Sequence, residues 1–150
     1  MSNRDCPCCQ IETVTKRHLA QSKPAPEKLQ EISTRIAREE GLLMIAPKLR
    51  CIELECKTTF GGRWFAAINT IVVILHPGAK TTEGVTVHEH GHWLCWARAG
   101  DEPGEHEELF MDVMTYLYPK HGVSLATAKL IEQQYPKAWN SGKTWEDIVK

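Results

Sequence analysis

The spacing of hydrophobic positions changes character along the chain. After Pro24-Ala25-Pro26, Leu29, Ile32 and Ile36 recur at helical spacing, and Gly41 supplies a stop beyond Glu40, which predicts a helix. Residues 42–45 and 52–56 and the runs at 64–68 and 70–75 are short and rich in β-branched or aromatic side chains, so they predict a sheet of three or four strands. His76-Pro77-Gly78 closes the last run as a turn. Thr81-Thr82-Glu83 then offers cap hydroxyls and an acidic first turn to a helix of about five turns that Gly100 ends. Val85, Val87, Trp93, Leu94, Trp96 and Ala97 make that helix apolar on most sides, so it is expected to be buried. Asp101-Glu102-Pro103-Gly104 reads as a turn, and 105–118 as a further helix ended by Pro119, with Leu109, Phe110, Val113, Met114 and Leu117 toward the core. Ser124 caps a helix expected to run to Tyr135 before Pro136, and Thr144 starts a short terminal one. Strands grouped ahead of helices predict an α+β fold.

With 150 residues, 42% of them hydrophobic, the chain can bury one respectable core, and no break in composition demands two. The expected division is a segment at 1–23 that is flexible or built around its cysteines, followed by a domain at 24–150. A formal net charge of −1, with Lys and Arg spread along the chain, argues against a nucleic-acid groove or an anionic membrane surface as the main partner. No apolar stretch of roughly 18 residues is present to span a bilayer. The first residues lack the apolar core of a signal peptide, so the expected compartment is a reducing cytoplasm, where the six cysteines are thiols or ligands. Cys6, Cys8 and Cys9 cluster at the start, Cys51 and Cys56 flank Ile52-Glu53-Leu54-Glu55, and Cys95 lies on the apolar helix. A structural zinc on Cys6, Cys9, Cys51 and Cys56 is chemically reasonable, and so is an N-terminal thiolate acting as a latency ligand. The plainer reading is a tail, two strand residues and a packed Cys95. Trp139 and Trp145 are expected to anchor packing.

The most specific chemistry lies at His88-Glu89-His90-Gly91-His92. His88 and His92, four apart, project from one side of a helix, so their ring nitrogens can converge on one metal ion. Glu89 points to the flank, where it can take a proton from a metal-associated water. His90 falls on the opposite side and reads as flank or solvent. Two histidines hold zinc weakly, so a third protein ligand is required, and Glu105, His106, Glu107 and Glu108 crowd the start of the next helix. Glu108 and Asp112, spaced i and i+4, share a face, so one can bind the ion while the other accepts the free N–H of a ligating histidine.

His88-Glu89-x-x-His92 followed by Glu108-Leu109-Phe110-Met111-Asp112 resembles the gluzincin zinc peptidases. The resemblance covers about 25 residues. It implies Zn2+ as cofactor, His88, His92 and Glu108 as ligands, Glu89 as general base and Asp112 as the carboxylate that orients a ligand. It also implies a small zincin-like fold, with a sheet packed on the metal helix and an edge strand that can hold an extended protein or peptide substrate. The stretch from Glu108 to Pro119 is similar in outline to the ImmA-like peptidases. His106, fourteen positions after His92, resembles instead the histidine ligand of the SprT-like peptidases, so the third ligand stands open between Glu108 and His106.

The expected activity is hydrolysis of peptide bonds in a specific intracellular protein. Glu89 would take a proton from water and return it to the leaving amine. Tyr116, Tyr118, His121 and His76 are the available hydrogen-bond donors for an oxyanion, and the sequence does not select among them. Two other classes stay open: a non-peptidase zinc amidohydrolase with a cysteine ligand from Cys51 or Cys56, and a non-catalytic metal-binding regulatory protein with a closed set of ligands.

Overall fold

The computed structural model describes residues 14–53, 61–75, 81–100, 108–132 and 145–148, and they form a mixed α+β arrangement. The order is α1 (Lys16–Gln21), β1 (Lys23–Pro24), α2 (Glu27–Glu39), β2 (Lys48–Glu53), β3 (Gly62–Phe65), β4 (Thr70–Leu75), α3 (Thr82–Ala99), α4 (Glu108–Lys120), α5 (Leu125–Ile131) and α6 (Trp145–Ile148). The four strands make one sheet in the order β1-β2-β4-β3. β2 and β4 pair in parallel from Lys48↔Thr70 to Glu53↔Leu75, while β1 and β3 pair antiparallel on the two outer sides.

Strand alternation divides the core in two. Leu49, Cys51, Trp64, Ile71 and Val73 face the helices and join the main cluster, whereas Ile52, Phe65, Val72 and Ile74 face the other way and pack with Val14. β4 is covered on both faces, which explains the unbroken apolar run from Ile71 to Leu75. α1 and the first residue of β1 fall within 1–23. Val14 is already buried against the sheet, so packing begins well before Pro24. α1 is short, but Thr15 and His18 satisfy each other's backbone N–H in a reciprocal cap.

α3 is the central element. It touches α2, α4, α5, β3 and β4, and Gly84 to Gly91 are all buried, so the apolar character around the whole helix reflects enclosure on every side. Thr81 occupies its N-cap position without a side-chain capping bond, and Gly100, at φ +66, ends it in the left-handed region as expected. Two glycines on α3 admit its neighbours. A Cβ at Gly91 would lie 2.4 Å from Met114 Sδ and 2.8 Å from Phe110 Cε2 of α4. A Cβ at Gly84 would lie 2.5 Å from Ile131 Cδ1 of α5. Glu40, buried just past α2, ties down the far ends of α3 and α4. It accepts the Tyr116 hydroxyl at 2.9 Å and the Lys120 ammonium at 3.4 Å, while its carbonyl accepts from Arg98 at 2.6 Å.

Several elements differ from expectation. Residues 42–45 are no strand: Leu43–Ile45 is a single 3-10 turn with exposed side chains. The Ile45 carbonyl is taken by the Trp93 indole N–H at 3.1 Å and the Asn69 amide at 2.9 Å instead of a neighbouring strand. The run at 64–68 also splits, because Ala66–Ile68 turns back before Asn69, whose φ of +46 suits the tight return into β4. The β2 strand starts at Lys48, ahead of the expected Ile52, and the remainder to Cys56 lies outside the described residues. α4 carries Pro119 inside its last turn and continues to Lys120, since so close to the C-terminus the missing N–H removes only one late bond. α5 ends at Ile131, and residues 133–136 lie outside the described part, as do the turns at 76–78 and 101–104 and Trp139. Trp145 is buried in the main cluster.

The glycine contacts give an unequal pair of outcomes. Alanine in a helix gains about 1 kcal/mol of propensity over glycine, whereas overpacking costs roughly 1–3 kcal/mol. Gly91→Ala meets the edge of an aromatic ring and is expected to lower stability in urea unfolding by about 1–2 kcal/mol. Gly84→Ala meets the mobile end of Ile131 and should fall within about 1 kcal/mol of the parent. Equal losses at both positions would contradict the close approach of α4 to Gly91.

Candidate metal centre

His88, Glu89 and His92 sit in the middle of α3, where one turn of helix brings the two imidazoles to one side. One ligand atom from each of the three lies within 4.8 Å of the others, so the group can hold a metal ion. Two imidazole nitrogens and a carboxylate oxygen are donors that suit first-row transition-metal ions, zinc among them.

Phe110 of α4 forms the wall beside both histidines. Its ring stacks on His92, with centroids 4.1 Å apart and planes 10° from parallel, and meets His88 edge-on at 4.9 Å. The two imidazoles are themselves edge to face at 5.1 Å. Gly91, between them in sequence, is the position that lets Phe110 come this close. His88 and Glu89 are buried and His92 half-buried, so the group opens toward the His92 side.

Behind His88 lies a carboxylate that the sequence pattern did not reveal. The His88 Nδ1–H donates to Glu132 Oε1, and the Tyr118 hydroxyl donates to the same oxygen at 3.0 Å while lying 3.4 Å from Nδ1. Glu132 follows α5 directly, 44 positions after His88, and is almost fully buried. Burial works to lower the His88 pKa, but the Glu132 hydrogen bond and the charges of Glu89 and Glu132 outweigh it, so the imidazole sits above its ordinary value. Burial pushes the Glu89 carboxyl up, His88 and Arg63 draw it down, Glu132 adds to the rise, and the net direction is upward. Gly62 of β3 makes room for Glu89: a Cβ there would lie 3.0 Å from Glu89 Cγ.

Other predicted residues take varied positions. Glu108 is exposed at the first position of α4 and is not one of the three grouped residues. Asp112 is half-buried one turn further along α4, and the carboxylate bonded to His88 is Glu132. His106, Glu105, Glu107 and His76 lie outside the described residues. His90 is fully buried, where solvent was expected, and points away from His88 and His92. Its Nδ1–H donates to the Thr86 carbonyl at 2.6 Å and its Nε2 accepts from the Ser33 hydroxyl at 2.7 Å. Burial foremost holds it down to about 4. Cys95 is buried as expected, and Cys51 is a buried strand residue whose thiol donates to the Pro24 carbonyl at 3.7 Å. Cys6, Cys8, Cys9 and Cys56 lie outside the described residues.

Three of the four candidate oxyanion donors are committed elsewhere. Tyr118 faces the His88–Glu132 pair, and Tyr116 donates to Glu40. His121 is enclosed between α2 and α4. Its Nδ1 accepts from Arg35 Nε at 3.3 Å, and Glu39 Oε2 lies 3.8 Å from its Nε2.

Burial, then the charges of Arg35, Lys120 and His90, holds His121 down to about 3 from an ordinary 6.5. The unfolded chain therefore takes up this proton on acidification before the folded one does, and stability falls as pH drops through the window between those values. His121→Asn is expected to flatten the acid limb of a stability-versus-pH curve by up to about 1.4 kcal/mol per pH unit. An unchanged acid limb would show that His121 does not stay neutral in the folded protein.

Comparison with protein-family models, with curated proteins and with solved structures found no match. No helix among the described residues is long and apolar enough to cross a membrane.

Proposed function

We propose that the protein is a zinc-dependent metallopeptidase of zincin type. The observation that carries this reading is the convergence of His88, Glu89 and His92 to within 4.8 Å on a helix packed beside a sheet. Histidines placed for packing alone do not need a carboxylate beside them at the same point, and His90 on this helix is satisfied by neutral partners.

His88 and His92 are the residues to hold the ion, with a third ligand supplied by Glu108 or His106. A bound zinc ion would supply Lewis-acid charge that acidifies a water and polarises a carbonyl. Glu89, buried beside His88, would take a proton from water and hand it to the departing amine. Phe110 holds the His92 ring against sliding. β3 lies on the outer side of the sheet among the described residues, and its Gly62 abuts Glu89, so a chain laid along β3 would bring an amide to the base. That placement supports a protein or peptide substrate.

Zinc content by elemental analysis tests the metal, and turnover of a peptide library tests the chemistry. Wild type is expected to carry one zinc and His88→Ala and His92→Ala none. Loss in Glu108→Ala alone would assign that residue as third ligand, and loss in His106→Ala alone would assign His106. Glu89→Gln is expected to keep its zinc and lose about 10²–10⁴-fold in rate. A zinc-loaded wild type that cleaves no peptide in the library would point to a non-catalytic metal-binding protein or to a different amide substrate.

A further inference from the structure

Glu132 is unusual in position as well as in partner. It belongs to a different element from the metal helix, it is buried in the core, and its backbone N–H is fixed to the Ala128 carbonyl at 2.8 Å at the end of α5. α5 in turn seats against α3 where Gly84 leaves space for Thr127 and Ile131. A carboxylate held inside a protein is costly to desolvate, and an apolar side chain of similar volume would often serve packing better. Oε1 of Glu132 receives two donors, from His88 and from Tyr118, both buried.

His90 provides an internal comparison. It lies two residues from His88 on the same helix and is at least as deeply buried, yet a backbone carbonyl and a serine hydroxyl satisfy it. Neutral partners therefore suffice for a histidine that only packs. A charged partner does something more: it fixes which ring nitrogen carries the proton and strengthens the other as a donor to a metal.

We propose that Glu132, assisted by Tyr118, is the positioning residue of the metal centre, accepting the Nδ1–H of His88 so that the ring presents an unprotonated Nε2 to the ion. This rests on the metal-binding part of the proposed function and is independent of peptide hydrolysis. At His88, Glu132 takes the kind of orienting role that the i,i+4 spacing offered to Asp112 for a ligating histidine. Tyr118 donates to the same oxygen and keeps that carboxylate aimed at the ring. α5 thereby becomes part of the metal site without contributing a ligand.

The experiment pairs zinc affinity with a direct look at the ring. Zinc binding is measured by competition with a chromophoric chelator for wild type, Glu132→Gln, Glu132→Asp and Tyr118→Phe, with Co2+ absorption spectra on the same proteins. Glu132→Gln is expected to weaken zinc binding by about 10- to 100-fold and to change the Co2+ spectrum. Tyr118→Phe should act in the same direction by less, and Glu132→Asp should recover part of the loss. Long-range proton–nitrogen correlation spectra of the metal-free wild type at alkaline pH should find the His88 proton on Nδ1, a readout that survives even if a variant fails to fold. A proton on Nε2, or wild-type zinc affinity in both Glu132→Gln and Tyr118→Phe, would overturn the positioning role alone. A wild type that takes up no zinc would overturn the metal reading and this role with it.

Discussion

Desolvation of the middle of α3 is the constraint on which the arrangement turns. The helix is enclosed by α2, α4, α5 and two strands, yet in that enclosed stretch it carries Thr86, His88, Glu89 and His90. Polar groups taken out of water need partners, and the surrounding helices bring several of them. α2 brings Ser33 to His90, α4 brings Tyr118 toward His88, and Glu132 just past α5 accepts the His88 proton. Thr86 is satisfied within the helix itself, its hydroxyl donating to the Thr82 carbonyl at 2.9 Å. Packing and polar satisfaction thus select the same set of neighbours.

Close approach makes those partnerships reachable. Without a side chain at Gly91, Phe110 and Met114 reach the α3 backbone, and the Phe110 ring packs against both His88 and His92. Gly84 does the same for α5, and Gly62 does it for the strand beside Glu89. Three glycines on two elements therefore mark the three surfaces from which the His88, Glu89 and His92 group is built.

Legibility in the sequence followed the range of the interactions. The helices starting at Glu27 and Thr82 were readable because their stops, Gly41 and Gly100, and their periodicity are local. The alternation of β4 between two cores was visible as a continuous apolar run. The segment at 42–45 misled because Leu42, Leu43 and Ile45 have the composition of a strand, while its fate was decided by Trp93 and Asn69, far along the chain. The same limit applies at the site. His88, Glu89 and His92 announce themselves by spacing, but Glu132 is a lone acidic residue directly after Leu130-Ile131, with no pattern tying it to a histidine 44 positions earlier. His90 shows the converse: three histidines within five residues look alike in sequence, and only the direction of each face separates a packed ring from a pair that can converge.

On the proposed reading, the same geometry favours Glu89 over Glu132 for proton transfer, although both carboxylates are buried and both interact with His88. Glu132 has its Oε1 taken by two donors and sits behind the ring, on the Nδ1 side. Glu89 lies in the group with His88 and His92, next to β3 on the outer side of the sheet among the described residues. A base must reach the reacting proton before its basicity matters. Two acids close to one histidine are thereby divided by position: one is bonded to the ring at Nδ1, and the other is grouped with both His88 and His92.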